Sequence, residues 1–247
     1  MLFLRSLLFN IVFWLWTTVF LTLCLPLLLT PPIVSYHIGV VWTRFTFFAL
    51  KWICGITYEL RGMEHLPPDP VLVACKHQSA WDTMIFALIM RHPSFVMKRS
   101  LKRIPLFGWF LSRSGMVAID RDAGASALKG MLREARKAVA AGRTVVIFPE
   151  GTRTRPGKSL PYHPGVFALY RDLGLPTVPI ALNSGLYWGR DAFVKRPGRI
   201  VFEILPPMPA GLPRKTFMTD LEAAIEGRTA ALVAEGRSKG NSKAKSR

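Results

Sequence analysis

An α/β fold is what this sequence predicts: a mixed, largely parallel sheet of about seven strands flanked by helices, with an N-terminal two-helix membrane motif in front. Three observations carry that expectation. Beyond Gly55, short apolar runs rich in β-branched residues alternate with helical stretches, the rhythm of a largely parallel sheet covered on both faces. Before it, Ser6 to Thr43 contains no Asp, Glu, Lys or Arg. Among the helical stretches beyond Gly55, the clearest runs from about Gly124 to Ala141. Leu128, Leu132, Ala135 and Val139 form its apolar stripe, Lys129, Arg133, Arg136 and Lys137 fall largely outside it as a solvated face, and Gly142 suits the residue after the helix end.

At 247 residues the chain allows one membrane-associated segment and one domain with a full core. We read residues 1–54 as the membrane-embedded motif, 55–235 as the α/β domain and 236–247 as a basic disordered tail with five basic and no acidic residues. A net charge of +18 accompanies a mean hydropathy of +0.27. Soluble nucleic-acid binders are basic but seldom so apolar, whereas proteins on anionic lipid are often both. Cys24, Cys54 and Cys75 lie in apolar runs without metal or disulfide spacing, as small buried hydrophobes of a reducing compartment do.

The first helix, taken to Thr30, measures about 37 Å, longer than the ~30 Å hydrocarbon core. It exceeds a signal-peptide core and no small-residue cleavage site follows, so it is expected to be retained. Pro31-Pro32 breaks it. In the second segment His37, Arg44 and Lys51 recur every seven residues as a polar stripe, while Val41, Phe45, Phe48 and Trp52 line another face, an interfacial pattern. A single crossing would carry the Lys/Arg-rich remainder to the wrong side of the membrane, so both segments cross or neither does. The charged stripe makes crossing costly and favours two helices embedded in one leaflet. The strands expected after Gly55 are Ile56 to Leu60, Val71 to Cys75, Ser94 to Lys98, Met116 to Ile119, Thr144 to Phe148, Thr177 to Leu182 and Ile200 to Leu205. A last helix spans about Phe217 to Glu235.

Chemistry concentrates at strand ends. The run Val71 to Cys75 leads through Lys76 into His77, with Asp82 five residues on. Five steps of about 100° leave two side chains roughly 140° apart on a continuous helix. The pair therefore suits a strand-to-helix junction, where Asp82 in the first helical turn reaches back to one ring nitrogen and leaves the other free to accept a proton. Taken alone, the pair reads more readily as a surface or helix-capping contact. Three further strand ends accompany it: Asp120-Arg121, Pro149-Glu150-Gly151-Thr152-Arg153, and Val178-Pro179-Ile180 within its strand. In open parallel sheets ligands bind outside the carboxyl ends of strands, and two arginines there can grip a phosphate. Arg121 also reads as a surface ion pair with Asp120 or Asp122, and Val178 to Ile180 as a core strand. For the Pro-Glu-Gly-Thr-Arg segment, a plain β-turn explains Pro149 and Gly151 but neither Glu150 nor Arg153.

Lys76 to Asp82, Gly115 to Arg121, Phe148 to Arg153 and Val178 to Ile180 resemble, in order and spacing, the four blocks of the glycerolipid acyltransferases, specifically the bacterial 1-acyl-sn-glycerol-3-phosphate acyltransferases. The likeness covers about Gly55 to Pro207 and includes Lys98 through Gly108. Ser100 stands where many members carry an acidic residue, and Val117-Ala118-Ile119 where bulkier residues are common.

This resemblance implies transfer of an acyl group from acyl-CoA or acyl-carrier protein to the sn-2 hydroxyl of lysophosphatidate, giving phosphatidate. His77 is then the general base, oriented by Asp82. Arg121 and Arg153 hold the acceptor phosphate, Glu150 bonds the glycerol within the Gly151-Thr152 turn, and Val178, Pro179 and Ile180 wall the acyl chain. Lys98 is the candidate for the oxyanion, or equally one more charge in the basic run Arg91 to Arg113, which carries Leu101, Ile104, Leu106, Phe107, Trp109 and Phe110 between its cations. That run suits anionic headgroups, the phosphates of CoA or an acidic carrier protein. No cofactor beyond the thioester and no metal are implied, and the location implied is the cytoplasmic face of a bacterial inner membrane. Rival readings are acyl transfer to another lyso-lipid such as a lyso-aminolipid, a membrane-anchored nucleic-acid-binding protein prompted by the +18 charge, and an idle lipid-binding module. The nucleic-acid reading leaves the His77, Glu150 and Arg153 strand ends unexplained, so no nucleic-acid partner is expected; the residues say nothing of oligomeric state.

Overall fold

The computed structural model describes residues 1–68, 70–120 and 124–245. Two apolar helices come first, α1 (Leu2–Leu23) and α2 (Pro32–Ala49), the latter prolonged by a wider helical turn, Leu50–Cys54. Gly55, in the left-handed region at φ 69°, ends it and turns the chain into the sheet. Seven strands follow: β1 (Ile56–Arg61), β2 (Leu72–Cys75), β3 (Ser94–Lys98), β4 (Val117–Ile119), β5 (Val145–Ile147), β6 (Thr177–Leu182) and β7 (Gly198–Ile204). Their order across the sheet is β1-β7-β6-β2-β5-β3-β4. Every pairing is parallel except β6 with β7. All seven expected strands are therefore present, each within two residues of its expected bounds.

β2 and β5, at the centre, are apolar at every position because each face of the sheet is covered. On one face Val71, Val73 and Cys75 of the β2 region, Val146, Val178 and Ile180 join Phe9, Phe47, Trp81, Ile85 and Phe86. These last belong to α1, α2, α3 (Trp81–Met84), α4 (Phe86–Ile89) and their junction. On the other face Leu72, Ala74, Val145 and Ile147 pack on Met131, Ala135, Val166, Leu169, Phe217, Leu221 and Ile225. After α5 (Phe107–Arg113), those residues come from α6 (Gly124–Ala140), α7 (Gly165–Leu173) and α8 (Arg214–Lys245). The two-residue period of a strand sends alternate side chains to opposite layers, so one short strand serves both cores. Pro179 fits a central strand because the ladder to β7 begins only at Ile180, beyond the position where its missing N–H would be needed.

α8 is longer than the expected Phe217 to Glu235 and takes in residues 236–245 of the basic tail. Gly236 permits this course: a Cβ there would come within 2.7 Å of the Leu186 side chain and 2.9 Å of the Tyr187 hydroxyl.

The polar stripe and the apolar face expected on α2 lie side by side. His37, Arg44 and Lys51 are exposed together with Val41, Phe48 and Trp52, while Ile38, Thr46 and Phe47 are buried. At 100° per residue the six exposed positions fall within one arc of about 100°, which the sequence reading divided into two faces. Phe45 sits at the margin of that arc and stacks on Trp16 of α1, 4.1 Å between ring centroids. α1 in turn docks on the segment before β7. Phe9 meets Trp188 edge-on, Lys195 N–H donates to Ser6 Oγ at 2.9 Å, and Lys195 Nζ donates to Asn10 Oδ1 at 2.6 Å.

Candidate active site

Because β2, β5, β3, β4 and β6 run in one direction, their carboxyl ends share one rim of the sheet. β2 delivers His77 there, and the chain turns at once into α3. Asp82, in the first turn of α3, folds back on that junction. Its Oδ2 accepts the amides of Gln78 at 2.6 Å and Ser79 at 2.7 Å, and lies 3.1 Å from His77 Nδ1. A carboxylate can only accept in this cluster, so the neutral ring carries its proton on Nδ1 and presents Nε2 as an acceptor. Asp82 is 0% exposed and the His77 side chain 15%. The imidazole lies flat on Phe148 at the end of β5, centroids 4.0 Å apart, so stacking fixes the ring plane while one edge stays open. Among the described residues no hydrogen bond engages Nε2.

The loop after β5 is stitched to the same junction. Gly151 adopts φ 68° and donates its N–H to Phe148 O, closing the turn that its position between Glu150 and Arg153 predicts. Thr154 donates both N–H and Oγ1 to His77 O, at 2.8 and 3.2 Å. Arg153, next in the loop, is 34% exposed with its guanidinium 3.2 Å from Asp191. Thr152 is half-buried on the loop.

Glu150, expected to bond the glycerol, is turned into the protein. Its side chain is 0% exposed, accepts from Lys76 Nζ at 2.7 Å and lies 3.4 Å from the His77 N–H. Lys76, itself fully buried, also pairs at 2.7 Å with Glu226 of α8, which accepts from the Tyr162 hydroxyl. Burial pushes the Glu150 carboxyl above its usual range, opposed by Lys76. This buried ammonium between two carboxylates is the feature that reading the chain missed. Its local signal was a lysine closing an apolar strand, but the partner from α8 lies 150 residues away and has no local signature.

Val178, Pro179 and Ile180 are wholly interior, so burial favours the core-strand reading over an acyl-chain wall. Lys98 ends β3 on the rim, exposed, and alternation places it on the side of Val96, which packs in the second core. Arg121 lies outside the described residues. The strand that precedes it in sequence, β4, is three places from β2 in the sheet, about 14 Å at the usual strand spacing. No group of three or more His, Cys, Asp or Glu side chains placed to share a metal ion occurs among the described residues.

The family model described as Acyltransferase matches residues 57–183, from β1 to the end of β6. A 1-acyl-sn-glycerol-3-phosphate acyltransferase of Pseudomonas aeruginosa is 39% identical over 169 residues, 68% of this chain and 66% of that protein. The 1-acyl-sn-glycerol-3-phosphate acyltransferase alpha of Ovis aries is 31% identical over 173 residues, covering 67% of this chain and 59% of that one. The chain thus matches somewhat less than two thirds of each relative's length. The crystal structure of the 1-acyl-sn-glycerophosphate (LPA) acyltransferase PlsC from Thermotoga maritima superposes with a TM-score of 0.74 at 21% identity, covering 94% of this chain and 99% of that one, which establishes the shared fold. With a family match over more than half its length, centred on the His77 and Glu150 strand ends, the chain belongs to the acyltransferase family.

Proposed function

We propose that the protein transfers an acyl group from a thioester, acyl-CoA or acyl-carrier protein, to the sn-2 hydroxyl of 1-acyl-sn-glycerol-3-phosphate, giving phosphatidate at the cytoplasmic face of a bacterial inner membrane. The observation carrying this reading is the His77–Asp82 pair at the sheet rim, with one ring nitrogen anchored and the other open. The acceptor specificity is taken from the relatives' names.

The reaction needs no acyl-enzyme. The acceptor hydroxyl gives its proton to His77 Nε2 as its oxygen bonds to the thioester carbonyl carbon. The tetrahedral intermediate collapses with cleavage of the C–S bond, and the leaving thiolate takes the proton back from Nε2. Asp82 holds the ring in the tautomer that can do this and faces the imidazolium that forms. Arg153 and Arg121 hold the acceptor phosphate, which positions the hydroxyl. Both substrates carry long apolar chains, so the N-terminal hairpin is assigned to lie in the leaflet that supplies them, its exposed Leu4, Leu8, Ile11, Leu15, Phe48 and Trp52 in contact with lipid.

Purified enzyme assayed against lysophosphatidate, a lyso-aminolipid and a phosphate-free monoacylglycerol, with each thioester in turn, tests the proposal. Lysophosphatidate should be the preferred acceptor. His77→Ala should lower kcat by about 10²–10⁴-fold. Undiminished transfer by that variant would show that another group is the base, and preference for the lyso-aminolipid would replace the acceptor.

A further inference from the structure

We infer that Ser184 is a positioning residue of the catalytic pair: it sets the plane of the Asp82 carboxylate and through it the orientation of His77. The inference rests on the general-base reading of His77 and extends it to a residue one position beyond the matched family segment, which ends at 183.

Asp82 Oδ2 receives three donors, His77 Nδ1 and the amides of Gln78 and Ser79. Three bonds to one oxygen fix a point, but they leave the carboxylate able to rotate about that point and turn its lone pairs away from the ring. The second oxygen supplies the missing constraint. Oδ1 accepts a hydrogen bond from Ser184 Oγ, in a spot where both residues are 0% exposed and no water competes. A serine hydroxyl has a single proton to donate. The bond to Asp82 is the one hydrogen bond that the Ser184 side chain makes among the described residues.

The serine is itself held from three directions, as a positioning role requires. It opens the short helical turn Ser184–Leu186 just after β6, and its carbonyl accepts the amides of Tyr187 and Trp188 at 3.0 and 2.9 Å. The preceding Asn183 donates Nδ2–H to Leu232 O of α8 at 3.1 Å and accepts the Val201 amide of β7 at 2.8 Å. The following Gly185 donates its N–H to Gln78 Oε1 at 3.1 Å, joining this turn to the His77 junction a second time. A Cβ at Gly185 would lie 2.9 Å from Pro156 and 3.0 Å from the Gln78 side chain, so glycine is what allows the two loops to approach. Helix α8, strand β7 and the turn after β6 thus converge on one hydroxyl aimed at the carboxylate.

The test measures steady-state kinetics per folded enzyme, with lysophosphatidate in mixed micelles and acyl-CoA and acyl-carrier protein each as donor. Ser184→Ala removes the donor and should lower kcat about 10- to 100-fold, the worth of a hydrogen bond to a buried charged group, with both KM values within about twofold. Ser184→Cys keeps the volume but donates weakly, and should fall likewise. Ser184→Thr keeps the hydroxyl and should recover most of the rate. In an Asp82→Asn background Ser184→Ala should change kcat by less than about twofold, because the group it positions is gone. Wild-type kcat in the Ala or Cys variant, equal losses in Ala and Thr, or additive losses with Asp82→Asn would each overturn the inference. Activity surviving in both His77→Ala and Asp82→Asn would instead overturn the base assignment on which it rests.

Discussion

At the scale of single residues, the rim separates side chains that stay open to solvent from side chains sealed inside. His77 is stacked, anchored on one nitrogen and open on the other, whereas Asp82, Glu150 and Lys76 are sealed from solvent. Arg153 differs from all of these. Its guanidinium is a third exposed and its partner Asp191 is 69% exposed, an arrangement of little intrinsic strength that a phosphate can displace. Arg153→Ala should therefore raise the acceptor KM by about 10- to 100-fold with kcat within a few-fold. Asp191→Asn should leave that KM unchanged or lower it, because it removes a competitor for the guanidinium. Kinetics with a phosphate-free monoacylglycerol give the control: an equal effect of Arg153→Ala on that acceptor would exclude phosphate recognition.

At the scale of elements, what was legible in the chain was what is local. β2 and β6 announce themselves as apolar runs, and Gly151 and Pro149 mark their turn, because strand and turn preferences act over a few residues. The His77–Asp82 contact was legible for the same reason, being a five-residue junction. The burial of Glu150 was not legible, because a carboxylate next to Gly-Thr-Arg looks solvent-facing until the buried Lys76 is seen across from it. Lys76 in turn is tolerable only because α8 folds back and brings Glu226. This brace fastens the end of β2, the loop after β5 and α8 in one place. Lys76→Met should cost about 3–5 kcal/mol, since it strands Glu150 as an unpaired buried charge. Glu226→Gln should cost clearly less, because the Lys76–Glu150 pair survives and Glu226 is 22% exposed. Thermal and denaturant melts of the two variants in detergent check the order; the reverse order would mean that Glu226, not Glu150, is the partner the lysine depends on.

At the scale of the whole molecule, the question is how a body built around a seven-stranded sheet carries two helices that are each apolar enough to cross a membrane. The packing favours a hairpin laid against the body. Its turn is tied down where Arg113 donates to Thr30 O at 2.7 Å, and the start of α2 is tied where the Tyr36 hydroxyl donates to Met90 O at 2.9 Å. Its other end is tied through Phe9, Trp188 and Lys195. Crossing would break these contacts and would draw the charged edge of α2, His37, Arg44 and Lys51, through hydrocarbon at a cost of about 2.5–3.5 kcal/mol for each Arg or Lys near the centre. Thiol labelling decides the matter, but not with the native cysteines, since Cys24, Cys54 and Cys75 are all buried. Leu29, in the turn between the helices, is 92% exposed. In a hairpin confined to one leaflet, Leu29→Cys should react with a membrane-impermeant maleimide in inside-out vesicles and not in right-side-out ones, because Arg113 keeps the turn beside the body. If both helices cross, the turn emerges on the far side from the body. Labelling confined to right-side-out vesicles would therefore defeat the one-leaflet arrangement.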